Sequence, residues 1–212
     1  MKLRTIFSLG AIAALASTSF GYVWYDNGGP NLVDGNEMTA WSQSEDLPFD
    51  AGDSFNRLVF WTLEAPTATL STVSIRFSFD NGSGNPDFVA VSYLNLGLTT
   101  RTATGNTLAG LNEFMNVVDF TDTPESGSGI FHMELLGNEA ANPNHDFQGI
   151  FWESTNANGS NKGRESLNNT RDNWFDNGVE HAFRLENNVV PEPASMAVLG
   201  LGVLVLLRRR RK

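Results

Sequence analysis

The side chains that could do chemistry in this chain are three histidines, 24 carboxylates and five tryptophans, and there is no cysteine. The missing thiols exclude a disulfide scaffold, thiolate zinc sites and a cysteine nucleophile. A serine nucleophile needs a strained turn and a histidine base beside it, and no Gly-x-Ser-x-Gly occurs. His132 and His181 fall in strand-like runs and His145 in an Asn-rich stretch. Their spacing supports no zinc site, and they read as surface or hydrogen-bonded imidazoles. A glycosidase would need two carboxylates about 5–10 Å apart across a cleft. Glu134, Glu153, Glu165 and Glu180 are the candidates, on or beside strands. Among so many acids some pair meets that distance by chance. The expectation is therefore a non-enzymatic domain, with no catalytic residue assigned.

Two loops could offer oxygen ligands to calcium: Asp26-Asn27-Gly28 and Asp80-Asn81-Gly82-Ser83-Gly84-Asn85. Neither fits an EF-hand or a glycine-rich calcium repeat, and metal-free hairpin turns use the same residues. Asp26 and Asp80 are thus weak calcium candidates, and no other cofactor is expected. Exposed indoles stack on sugar rings. Trp61 and Trp152 sit in apolar runs and read as core, whereas Trp174 lies among polar residues and is the candidate ligand platform.

These residues need elements to hold them. From Tyr22 to about Asn188 the chain reads as strands. Val73, Ile75, Phe77 and Phe79 alternate with Ser74, Arg76 and Ser78, the period of a half-buried strand. Phe55 to Trp61, Phe88 to Leu94, Phe131 to Leu135, Phe147 to Trp152 and His181 to Leu185 are further runs. Asn-Gly and Asp-Gly turns separate them, while Ala140 to His145 is a polar interruption. Eight to ten short strands of this kind predict an all-β fold, an antiparallel β-sandwich of jelly-roll type. Its expected core includes Ile75, Phe77, Val91, Phe131 and Phe183.

Both ends have another character. Residues 1–21 read as a signal peptide: basic Lys2 and Arg4, an apolar stretch from Ile6 to Ala16, then small residues. The register Ser19-x-Gly21 would leave Tyr22 as the new terminus, and Ala14 and Ala16 offer a second one. At the other end, Pro191-Glu192-Pro193 precedes the apolar run Ala194 to Leu207 and then Arg208, Arg209, Arg210, Arg211 and Lys212. As a helix the run is about 21 Å long, short for a hydrocarbon core of about 30 Å but workable with snorkelling arginines. The basic cluster fixes its orientation by staying cytoplasmic. Gly200-x-Gly202 has no preceding strand and is no dinucleotide fingerprint. All 24 acids and only seven of 14 basic residues lie between Asp26 and Glu192, so that segment carries −17. Such a charge disfavours nucleic acid as a partner.

The Pro-Glu-Pro triplet, the short apolar run and the terminal arginines, spanning Val190 to Lys212, resemble the PEP-CTERM sorting signal of Gram-negative bacteria. The resemblance implies that exosortase, a membrane cysteine protease–transpeptidase, reads Pro191, Glu192 and Pro193 and removes the tail. It implies export through signal peptidase, transient anchoring in the inner membrane, and delivery to the cell surface or extracellular matrix in organisms that make exopolysaccharide. Tyr25 to Pro30, Phe60 to Leu63, Phe151 to Ser154 and Glu180 to Phe183 resemble segments of exported PEP-CTERM β-sandwich domains, from which no site carries over. The expected organisation is a signal peptide at 1–21, a β-sandwich at 22–188 and a sorting signal at 189–212 with a transmembrane helix at 194–207. The expected cargo is a surface or matrix protein, with a carbohydrate-binding module or a glycan-active hydrolase as alternatives.

Overall fold

The computed structural model describes residues 22–50, 53–121, 129–156, 163–167 and 170–187. From Val23 to Asn187 these belong to one compact unit. Its elements in chain order are β1 (Tyr22–Gly28), β2 (Pro30–Glu37), β3 (Ser42–Phe49), β4 (Arg57–Glu64), β5 (Thr72–Asp80), β6 (Pro86–Gly97) and β7 (Thr100–Leu108). There follow β8 (Leu111–Asp119), β9 (Gly129–Gly137), a 3₁₀ turn at Glu139–Ala141, β10 (Ile150–Thr155), β11 (Arg164–Ser166), β12 (Trp174–Asp176), β13 (Glu180–His181) and β14 (Phe183–Asn187). The fourteen described strands exceed the eight to ten expected, because several polar segments are also paired.

Two antiparallel sheets result. The eight-stranded sheet runs β1-β14-β4-β10-β13, with β8 on the other side of β4, β7 outside β8, and β2 on β10. The six-stranded sheet runs β12-β11-β3-β9-β5-β6. Their inner faces share one core. Leu58 and Phe60 come from β4, Leu47 from β3, Val73, Ile75 and Phe77 from β5, Phe131 and Met133 from β9, and Trp152 and Phe183 from the last strands. Four of the five expected core residues are buried, and Val91 packs half-buried against the same cluster. Each such Phe or Leu contributes about 1.5–3 kcal/mol through the water it excludes. Aromatic rings bind the layers together: Phe55 meets Phe77 at 5.4 Å and Phe49 at 5.8 Å.

Period-2 alternation accounts for β5 and β9. In β6 the apolar run has a different outcome. It forms the last strand of its sheet, and Phe88 and Leu94 remain 71% and 53% exposed. The run from His181 to Leu185 is interrupted at Ala182, whose N–H leaves the strand pattern to bond Glu153 O at 2.8 Å. Gly28, at φ +110°, sits where a Cβ would lie 2.5 Å from Thr155 Oγ1, so only glycine lets β1 turn there beside β10.

Candidate functional site

The sorting triplet Pro191-Glu192-Pro193, the apolar run 194–207, Arg208 to Lys212 and the signal segment 1–21 lie outside the described residues. The sandwich itself carries its chemistry in three polar clusters.

The first lies on the outer face of the six-stranded sheet. Along β3, Gln43, Glu45, Leu47 and Phe49 face one way, so Ser44 and Asp46 face the other. Register places Glu134 of β9 opposite Ser44, and His132 opposite Asp46. One strand further, Arg76 and Ser78 of β5 stand opposite Glu134 and His132. On the other side β11 sets Arg164 opposite Ser44 and Ser166 opposite Ser42, and β12 sets Trp174 opposite Ser166. An outer face of this composition would normally be solvated. Here Ser44, Ser78, His132 and Glu134 are buried.

The cover is a strap between β11 and β12. Arg171 donates from Nε and Nη2 to the two oxygens of Glu134, each at 2.6 Å, and from Nη2 to Ser78 Oγ at 3.2 Å. Its backbone N–H is held by Ser166 Oγ at 2.9 Å. Arg164 Nε ties the β5–β6 turn through Gly84 O at 2.9 Å. Beneath, His132 Nε2 meets Asp80 Oδ2 at 2.9 Å. Burial raises Asp80, but the His132 hydrogen bond and the Gly82 and Gly84 amides outweigh it and leave the carboxyl below its usual range. Asp46 goes the other way: burial raises it, and His132 and Arg164 compensate only in part. Ser44 Oγ, Asp46 Oδ1 and His132 Nδ1 have no hydrogen-bond partner. Three orphaned polar atoms at adjacent register positions are unusual in a folded interior.

The second cluster is inside the sandwich. Glu45 of β3 and His181 of β13 are fully buried, and His181 Nδ1 lies 2.5 Å from Glu45 Oε1. The same oxygen accepts the His181 N–H at 2.7 Å. Trp152 stacks on the imidazole with centroids 4.4 Å apart and planes at 16°. Burial first, then the charge of Glu180, holds Glu45 well above the usual carboxylate range. Burial also pushes His181 down to about 3. At pH 7 the imidazole is therefore uncharged, and the acid beside it is biased towards its protonated form. Asn27 Nδ2 bridges Glu180 Oε2 at 3.3 Å and His181 O at 2.9 Å. A Cβ at Gly163 would approach Glu45 Oε1 to 2.7 Å, so the chain enters β11 against this acid without room to spare.

The third cluster lies on the outer face of the eight-stranded sheet. Glu113 of β8 stands opposite Leu63 of β4, whose partner on the other side is Phe151 of β10, and Glu153 follows two residues further along the same face of β10. Both are buried. Glu153 Oε1 accepts the Leu32 N–H at 3.0 Å, and Glu113 Oε2 accepts Asn106 Nδ2 at 3.0 Å. Glu113 Oε1 and Glu153 Oε2 have no donor. Burial, followed by the charge of Glu113, raises Glu153 to about 8.

The four candidate glutamates are thus scattered. Glu134 is ion-paired to Arg171, Glu180 adjoins the Glu45 pair, Glu165 lies on β11 opposite Gln43 and Phe175, and Glu153 faces Glu113. Glu113 and Glu45 were missed in the sequence. For Glu113 a signal exists: Leu111, Met115 and Val117 alternate, and Glu113 occupies an apolar slot of that series. Asp26 Oδ1 and Asp80 Oδ1 each accept a turn amide, from Gly28 at 2.9 Å and Gly82 at 2.6 Å. Among the described residues no group of three or more His, Cys, Asp or Glu is placed to hold a metal ion. Trp174 is half-buried on β12, with its Nε1 buried and unpartnered.

Residues 189–212 match the family model of the PEP-CTERM protein-sorting motif. The match supports a PEP-CTERM sorting signal at this end of the chain, and with it export and processing by exosortase. No curated protein and no solved structure matches it.

Proposed function

We propose that the chain delivers a non-enzymatic all-β domain to the cell surface or extracellular matrix, in association with exopolysaccharide. In this reading a signal peptide ends near Gly21. The run 194–207 then anchors the precursor in the inner membrane, with Arg208 to Lys212 on the cytoplasmic side. The observation that carries it is the match over residues 189–212, with Pro191-Glu192-Pro193 at its head. In this reading proline chemistry favours an extended backbone at Glu192, a geometry a protease pocket can read. Glu192→Ala, or Pro191→Ala with Pro193→Ala, should block processing. An immunoblot of fractionated cells expressing exosortase should show these variants as a membrane-retained precursor and the wild type as a shorter product. Variants that mature like wild type would reduce the triplet to a linker and end this reading.

A second reading is a carbohydrate-binding module. It is favoured by Trp174 sharing a sheet face with Arg164 on the neighbouring strand, a half-buried indole near a directional polar group. Calcium would assist only with acidic glycans, which the acidic domain otherwise repels. A glycan array probed with the purified protein, with and without calcium, tests it. Binding lost in Trp174→Ala supports the module, and an empty array rejects it.

A further inference from the structure

Glu113 and Glu153 are two buried acids with too few donors. Leu32 N–H and Asn106 Nδ2 supply one hydrogen bond each, which leaves one oxygen on either carboxyl unsatisfied. No arginine of the sheet can help. Arg57 pairs with Asp119 at 2.6 Å, Arg101 with Glu64 at 2.8 Å and Arg184 with Glu186 at 3.2 Å. On the covering strand β2, Asp34 is exposed and spends Oδ1 on the Gly35 amide at 2.8 Å. Two adjacent carboxylates without a cation cannot both ionise in a dry site.

We propose that Glu153 keeps a proton on Oε2 that it donates to Glu113 Oε1, and that losing it to alkaline solvent opens the tip of the β7–β8 hairpin. That proton supplies the donor that Glu113 Oε1 lacks. Its departure leaves two negative charges facing each other on the sheet face, and one carboxylate must reach water. Glu153 is held on β10, which pairs with β4 on one side and with β2 and β13 on the other. Glu113 is held at the hairpin tip by Asn106, on a strand whose residues 102–107 are exposed. The β7–β8 register breaks between Ala103 and Thr107, so this end yields first. The raised value of Glu153, about 8, places the transition in mildly alkaline medium.

The test is hydrogen exchange of residues 103–112, measured on the full chain in detergent and referenced to β5 at each pH. Wild type should lose relative protection about tenfold per pH unit above the transition. Glu153→Gln, which keeps the hydrogen bonds and cannot ionise, should hold constant protection. Infrared difference spectra between pH 7 and 9 should show a protonated-carboxyl band in wild type that is missing from Glu153→Gln. Should that variant misfold, Glu113→Gln serves the same comparison, and the wild-type spectra stand alone. Hairpin exchange that tracks β5 throughout, or a wild type with no protonated carboxyl titrating in this range, overturns the proposal.

Discussion

Arg171 grips Glu134 with Nε and Nη2 of its guanidinium, each at 2.6 Å, and this ion pair is the main tie between Arg171 and the outer face of the six-stranded sheet. Glu134 is only 1% exposed, and among the described residues no other cation pairs with it. Removing the arginine leaves a buried carboxylate alone, and breaking such a pair costs about 3–5 kcal/mol. Arg171→Ala should lower the thermal midpoint strongly, and Arg171→Lys should recover only part, because lysine cannot match both oxygens. A midpoint within a degree of wild type for the alanine variant would show the strap is held elsewhere.

Opposite pH slopes should meet in this protein. The folded value of His181 is depressed to about 3, so below its unfolded value near 6.5 the unfolded chain binds the extra proton. Stability from His181 is present above about pH 6.5 and is lost as pH falls towards 3. The folded value of Glu153 is raised to about 8 from near 4.3 when unfolded, so its contribution is complete below about pH 4.3 and is lost as pH rises through 8. Each slope is about 1.4 kcal/mol per pH unit at most. Denaturant melts across pH 3–9 should give a maximum in mild acid. His181→Phe should flatten the acid limb, and Glu153→Gln should make the alkaline one shallower, leaving the part that the raised Glu45 contributes. A profile that stays flat from pH 4 to 9 contradicts both assignments.

Gly163 should tolerate nothing larger. A Cβ there meets Glu45 Oε1 at 2.7 Å and the carbonyl of Val179 at 2.9 Å, and the carbonyl belongs to the backbone and cannot swing aside. Gly163→Ala should destabilise by about 1–3 kcal/mol, the usual cost of overpacking. Because the clash is on the acid that holds His181, the near-ultraviolet dichroism of the stacked Trp152 should change as well. An alanine variant with unchanged stability and spectrum would mean that the entry to β11 is looser than drawn.

The apolar half of this fold is readable residue by residue, and the polar half is not. Val73, Ile75 and Phe77 announce β5 because their alternation is matched to one buried face. β3 hides, since its inward side chains include Gln43 and Glu45. Their partners are remote: His181 and Asn177 lie more than 130 positions away along the chain. A local reading prices such residues as surface. The same blindness conceals the strap, because Arg171 and Glu134 become neighbours only once β9 and β11 flank β3. β6 fails in the other direction. Its composition asks for burial, but it is the terminal strand of its sheet and only one of its edges is covered by another described strand. Trp174 was seen as a residue of interest without its setting, since a three-residue strand leaves no period to detect.

The adjacency of β1 and β14 has a consequence for the order of events during export. The first strand of the unit is seated beside the last, and β4 takes β14 as a partner across more than 120 residues. Contacts of that separation form late, because a long loop must close before they return any free energy. The sheet therefore waits for Phe183–Asn187, which are among the last cargo residues to emerge before the sorting triplet. On the proposed export route, closure this late would act as a clock, keeping the domain open until its last strand has emerged.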